Sequence, residues 1–275
     1  MKRRWTEIAL VYLLLTLGAI ILAIPFYLMV VTSLKPAVEV SRPTVSLIVE
    51  KPTFQNYQEL FDAGLILRAT FNSFLVALLS TLGSMFFCTL AGYAFAKHSF
   101  PGRNLLFMTL LATMMIPGSV LMVPGFLLLR DFGWLDTWLP LIVPGLAGAF
   151  GVFLARQFIE RIPDSLIESA KLDGAKETRI FGSVILPLTK PLLATLAILT
   201  FLGSWNSFVG PLIILLDEKK FTLPLVVAML QGRFPGADNK QMAGAMISIL
   251  PVLILFFFFQ KQIVQSLASS GLKEG

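Results

Sequence analysis

Residues 156–190 read RQFIERIPDSLIESAKLDGAKETRIFGSVILPLTK. This stretch is too long for a turn and too regular for a flexible linker. Pro163, Asp164 and Ser165 offer a helix start, and Ser165 with Glu168 fits the S-x-x-E capping box. Leu166, Ile167 and Ala170 then recur at helical spacing, which predicts one apolar face. Asp173-Gly174 predicts a corner, because glycine alone enters the left-handed region without steric cost. A second short helix follows with Phe181, Val184 and Ile185 on its apolar side, and Pro187 and Pro191 are expected to break it. Two short amphipathic helices joined by a glycine corner suit docking into a partner's groove. A hairpin lying on lipid headgroups would show the same pattern.

Outward from this segment the chain turns apolar. Hydrophobic residues make up 56% of it and charged residues 14%, against roughly 25% charged in ordinary soluble domains. A surface so poor in charge faces lipid rather than water. A span needs about 20 apolar residues to cross roughly 30 Å of hydrocarbon. Six runs qualify: 8–31, 71–96, 105–129, 138–155, 191–216 and 242–259, none with an Asp, Glu, Lys or Arg. The expected fold class is therefore an all-α membrane protein with six transmembrane helices. The first run follows Lys2, Arg3 and Arg4 but is long for a signal core and closes on no Ala-x-Ala pattern, so a retained helix is expected. Lys and Arg concentrate at 2–4, at Lys97 and Arg103, through 156–190, and at Lys261 and Lys273. By the positive-inside bias, both termini and the 156–190 loop are expected in the cytoplasm, with 32–70 and 217–241 outside.

The expected layout is a first helix and outer loop over 1–70, a permease core over 71–262 containing the 156–190 loop, and a C-terminal tail over 263–275. In span four, Ala147 and Gly151 have the small-xxx-small spacing of close helix packing. Cys88 and His98 are the single cysteine and histidine, which leaves neither a disulfide nor a cysteine cluster for metal. The net charge of +6 is scattered between apolar runs, unlike the single basic face of a nucleic-acid binder.

No G-x-x-x-x-G-K-[ST] loop occurs, so energy for transport would come from a partner or an ion gradient. Ion-coupled carriers usually keep ionisable side chains inside their spans, and these six runs have none. Sodium held by backbone carbonyls stays open, as does a scaffold that transports nothing. Span five holds Trp205, Asn206 and Ser207 beside Gly203, Gly210 and Pro211, the residue types that a neutral sugar and a bent helix would need. Interhelical hydrogen bonding explains the same residues equally well.

The run Glu168-Ser-Ala-Lys-Leu-Asp173-Gly174-Ala175, with Phe181 and Ile185-Leu186-Pro187 at their spacing before the second-last run, resembles the "EAA" loop of binding-protein-dependent ABC importer permeases. Ser169 stands where that family usually has Ala. Pro52-Thr-Phe-Gln-Asn56-Tyr, Asn72-Ser73, Phe100-Pro-Gly-Arg103, Met115-Ile-Pro117-Gly, Gly203-Ser-Trp205-Asn206 and Met242-Ala-Gly244-Ala are similar to the carbohydrate branch, in particular the smaller permease of maltose-type and glycerol-phosphate-type importers. The resemblance implies a type I importer permease fold with cytoplasmic coupling helices. It also implies ATPase contact through Glu168, Ser169, Ala170, Asp173, Gly174, Ala175, Leu186 and Pro187, and a sugar pathway past Asn72, Ser73, Trp205, Asn206 and Ser207. Gln231 and Gly232 would sit in an outer loop that touches the binding protein. The partners it implies are a second homologous permease, two ATP-binding subunits, an extracytoplasmic solute-binding protein and a sugar, in the prokaryotic plasma (inner) membrane. No cofactor, metal or catalytic residue is expected on this chain, and no nucleic acid.

Overall fold

The computed structural model describes residues 2–42, 46–233 and 238–271. Its elements are α1 (Lys2–Ser33), α2 (Ala37–Val40), α3 (Gln55–Asp62), α4 (Leu65–Lys97), α5 (Arg103–Thr113), α6 (Met122–Asp131), α7 (Leu139–Ile142) and α8 (Ala149–Ile159). They continue as α9 (Asp164–Leu172), α10 (Glu177–Ile180), a π-helical turn (Phe181–Ile185), α11 (Leu186–Leu188), α12 (Lys190–Trp205), α13 (Val209–Ile214), α14 (Leu223–Arg233) and α15 (Asp238–Gly271). The expected tail 263–275 is helical through Gly271, and residues 272–275 lie outside the described residues.

Among the described residues, four helices are long and apolar enough to cross a membrane: Glu7–Ser33, Leu65–Lys97, Leu139–Ile159 and Asp238–Phe257. Two of the six expected runs are broken instead of single rods. The run 105–129 divides into Arg103–Thr113 and Gly118–Asp131, bent by 101°. Pro117 causes the break: it lacks an N–H and pushes Ile116 out of the α region, while Gly118 adds backbone freedom. The run 191–216 ends at Trp205 and resumes only at Val209. Gly203 stays helical, so the break falls three residues later than its glycine suggested. Pro211 cannot bond the Ser207 carbonyl, and Asn206 turns its own Nδ2 back onto Leu202 O at 2.9 Å.

The chain forms two compact units. Unit 1 is Met1–Arg68 with Leu223–Leu250. Its polar centre joins α1, α3 and α15: Asn56 Nδ2 donates to Ser33 O and Lys35 O, and Asn239 Nδ2 donates to Asn56 Oδ1 and Lys35 O, at 2.8–3.1 Å. Both amides are buried and satisfied, which fixes the helix ends they tie. Part of the expected loop 217–241 is helical. Leu223–Arg233 is a helix whose Leu223, Leu225 and Leu230 are buried, because a short apolar run that cannot span still gains by folding onto a core.

Unit 2 is Ala69–Thr222 with Pro251–Gly275. Its core gathers Cys88 and Tyr93 from α4, Val152, Ala155 and Ile159 from α8, Ile167, Ile180, Phe181 and Ile185 from the 156–190 loop, and Leu192 and Leu196 from α12. The small-residue contact lies one turn later than expected. Ala147 precedes α8 and is exposed, whereas Gly151 and Ala155 meet Cys88 and Gly92 of α4. A Cβ on Gly151 would stand 2.6 Å from Cys88 Sγ, and one on Gly92 2.4 Å from Ala155 Cβ.

Candidate functional site

The glycine corner has the geometry its sequence called for. Gly174 has φ +77°. Ala175 N donates to Ala170 O and Gly174 N to Lys171 O, both at 3.0 Å, the paired bonds of a Schellman cap that satisfy the last carbonyls of α9. The start of α9 differs from the capping-box expectation. Pro163 is the N-cap, no side chain caps the helix, and Ser165 instead receives the Ser169 hydroxyl on its carbonyl at 2.8 Å. Asp164, at the first helical position, is held by Lys97 Nζ at 2.7 Å, so the end of α4 fixes the start of α9.

The two faces of this knuckle are chemically distinct. Ile167, Ile180, Phe181 and Ile185 point inward and share the bundle core. The Phe181 ring packs on Tyr93 and edge-on to Phe86 of α4, at 5.8 and 6.2 Å between centroids. Lys171 Nζ pairs with Glu177 Oε1 at 2.9 Å, and Tyr93 OH donates to Glu177 Oε2 at 3.0 Å, which ties α9, α10 and α4 together. His98, given no role from sequence, stands 3.5 Å from the same carboxylate. Outward lie Glu168, Ser169, Asp173, Gly174 and Pro187, with Ala170, Ala175 and Leu186 half-buried. Leu166 was expected on the inner face but is exposed, and Leu172 at the tip is 89% exposed. One face belongs to the core and the other is an uncovered ridge with an apolar point. The π-helical turn sits just before Pro187, whose ring excludes the ordinary bond to Ser183 O, and widening absorbs that loss. The break before α12 then falls at buried Thr189, where the helices bend by 79°.

The residues expected along a sugar pathway do not converge. Asn72 Nδ2 donates to Lys219 O and Phe221 O, both at 2.9 Å, and Ser73 is buried. Trp205 is 1% exposed and stacks on Phe201, centroids 5.8 Å apart. Asn206 caps its own helix. Of these residues, Ser207 lines the cavity of about 410 Å³ between α4, α7, α12 and α13. Its other hydroxyls come from Ser80, Thr200 and Ser204, which the sequence reading missed. Thr200, Ser204 and Ser207 recur at i, i+4 and i+7 in an apolar run, a signal that would have found them. Gln231 and Gly232 are exposed in the last turn of α14 rather than at a loop tip.

Asn72 belongs to a clasp around residues 214–221. Asp136, in the left-handed region at φ 55°, accepts Leu216 N and Asp217 N at 3.0 and 2.9 Å and the Lys220 ammonium at 2.6 Å. Trp138 Nε1 donates to Lys220 O at 3.0 Å. The backbone bond from Asp217, with the Lys220 ammonium and Leu216 N, pulls the Asp136 carboxyl down to about 2. A carboxylate lowered by folding contributes stability above its unfolded value and loses it as pH falls through the folded one. Asp136→Asn should therefore lower the melting temperature by a constant few degrees between pH 5 and 8. The gap to wild type should close only below about pH 4. A gap that changed between pH 6 and 8 in a melting series would contradict this assignment.

Residues 88–269, from Cys88 of α4 through the knuckle into α15, match the family described as binding-protein-dependent transport system inner membrane component. The chain is 35% identical over 252 residues to the arabinooligosaccharides transport system permease protein AraQ of Bacillus subtilis (strain 168), covering 90% of each chain. It is 30% identical to the lactose transport system permease protein LacG of Rhizobium radiobacter, covering 98% of each. It is also 30% identical to the sn-glycerol-3-phosphate transport system permease protein UgpE of Brucella abortus (strain 2308), covering 94% and 95%. The fold is similar to the crystal structure of a bacterial ABC transporter involved in the import of the acidic polysaccharide alginate, with a TM-score of 0.80, 27% identity, and coverage of 91% and 94%. With its knuckle, its broken spans and these matches, the chain belongs to the binding-protein-dependent transport system inner membrane component family, as a membrane permease subunit and not an enzyme.

Proposed function

We propose that this subunit forms half of the pathway of an ATP-driven importer of a sugar or sugar derivative and works by alternating access. One observation carries the mechanism: a knuckle whose inner face is continuous with the helix core and whose outer ridge is exposed. A push on Leu172 or Gly174 has no soft linker in which to dissipate, because Ile167, Phe181 and Ile185 pack directly on α4, α8 and α12. Two separate ATP-binding subunits would supply that push, gripping Glu168, Ser169, Asp173 and Gly174 around the Leu172 tip. Ala170, Ala175, Leu186 and Pro187 would keep the contact thin. The transport core is residues 71–262, paired with a second homologous permease, and 1–70 and 263–275 are accessory.

In this reading the knuckle and both termini are cytoplasmic, as the Lys and Arg distribution favours. The solute-binding protein would dock from outside, with Gln231 and Gly232 among its contacts. The apolar side chains of α1, such as Leu10, Leu14 and Ile21, are exposed and would face lipid. A sugar-class solute is supported by relatives named for arabinooligosaccharides and lactose. Ser73, Trp205, Asn206 and Asn72 shape the pathway from behind as packing and ties, and Ser207 faces it.

Leu172→Asp tests the docking contact, since it puts charge on an exposed tip without touching the core. ATPase subunits should co-purify about tenfold less well, while the permease remains monodisperse. Full co-purification would remove the Leu172 tip from the interface.

A further inference from the structure

The cavity between α4, α7, α12 and α13 has no charged residue in its lining. Its polar groups are four hydroxyls. Ser80 is 5% exposed, and its Oγ has no hydrogen-bond partner among the described residues. A buried hydroxyl without a partner is uncommon, because burial takes away its water. Thr200 donates to Ser84 Oγ at 3.3 Å, which leaves its oxygen lone pairs to accept from a ligand. Ser80 stands near the middle of the 33-residue α4, so the cavity sits deep in a span. The chain beside it is broken between Trp205 and Val209, as helices are at midplane transport sites. A volume of about 410 Å³ falls in the range of small-molecule pockets.

We propose that this cleft is a subsite, within this subunit, for an uncharged polyhydroxylated ligand: a sugar ring of the transported solute held on the hydroxyls of Ser80, Thr200, Ser204 and Ser207. Pro140 and Ile214 on its walls cover the C–H faces of the ring. The proposal rests on the importer reading above and adds to it where, and on which groups, the solute pauses. Hydroxyls that both donate and accept match a sugar's own hydroxyls in either direction. With no lysine or arginine in the lining, an anionic solute finds no counter-charge.

Gly203 provides a plug. It lines the cleft, and a Cβ there meets nothing within 4 Å, so Gly203→Leu fills the space without disturbing the helix packing. The test uses the assembled transporter with its binding protein in proteoliposomes, with arabinotriose, lactose and glycerol 3-phosphate as probes. Uptake and ATP hydrolysis are read together. The expected result is ATP-dependent uptake of arabinotriose or lactose, cut about tenfold by Ser80→Ala with Ser204→Ala and further by Gly203→Leu. Hydrolysis per complex should hold within about twofold, and Ser204→Thr, which keeps the hydroxyl, should restore uptake. Unchanged uptake in both the double variant and the plug would overturn the subsite, as would uptake and hydrolysis falling together. Wild-type uptake of glycerol 3-phosphate alone would overturn the uncharged ligand and leave an importer. No ATP-dependent uptake of any probe would overturn the sugar-importer function, and the subsite with it.

Discussion

Gly174→Val is expected to cut both recovery of the ATPase subunits and solute uptake by about tenfold or more, while the permease still inserts and purifies. The reason is conformational rather than steric. Gly174 has φ +77°, and a Cβ there would meet nothing within 4 Å. A β-branched residue held in the left-handed region costs on the order of 1–3 kcal/mol. The least expensive relief is to unwind the Schellman cap, which frees the Ala170 and Lys171 carbonyls and swings the Leu172 tip away from its partner. A loss of about 2 kcal/mol reduces the docking-competent population roughly 30-fold. Gly174→Asn should recover most of the function, because asparagine tolerates this conformation at helix ends. Equal function of the valine and wild-type proteins would mean that the corner can be dispensed with.

Gly92→Val should damage the fold itself. The added Cβ would stand 2.4 Å from Ala155 Cβ and 2.8 Å from Ala155 C and Arg156 N. Two of these contacts are to backbone, so no side chain can rotate away. The helices α4 and α8 would have to separate, loosening the buried contacts of Cys88, Val152 and Ala155 along the same seam. Overpacking of this kind costs about 3 kcal/mol or more. It should appear as a large loss of monodisperse protein in size-exclusion chromatography. Gly18→Val in α1 is the matched control, since a Cβ there meets nothing within 4 Å, and it should behave as wild type. Normal yield and melting for Gly92→Val would remove the close α4–α8 approach from the account.

Both glycines bear on how far the sequence discloses the structure. The corner at Asp173-Gly174 was legible because left-handed backbone has few residues to choose from. The apolar runs were legible because lipid tolerates little else. What failed to show was continuity. Pro117 and Pro211 lie inside runs that pass any hydropathy test, and proline inside a span can kink it, break it or be absorbed. The partner of a small residue was equally hidden. Gly151 stands out by its spacing, but the choice of Ala155 rather than Ala147 as its companion depends on where α8 begins, which Gly148 at its N-cap decides. Trp205 and Asn206 looked like sugar-binding residues by type, yet one fills the core and the other caps its own helix. Ser80, Thr200 and Ser204 are less conspicuous by type and hold the better place. Residue type named the chemistry, and only the packing showed which copies of it were free to act.

The central claim is that force made elsewhere enters this subunit through the α9–α11 knuckle. Its most direct test is crosslinking from Leu172→Cys in a Cys88→Ser background, in native membrane vesicles of known sidedness. The expected result is a crosslink to an ATP-hydrolysing subunit, formed from the cytoplasmic side and changed in yield when nucleotide is added. Labelling of that cysteine only from the outside, or capture with no nucleotide-hydrolysing neighbour in either state, would contradict it.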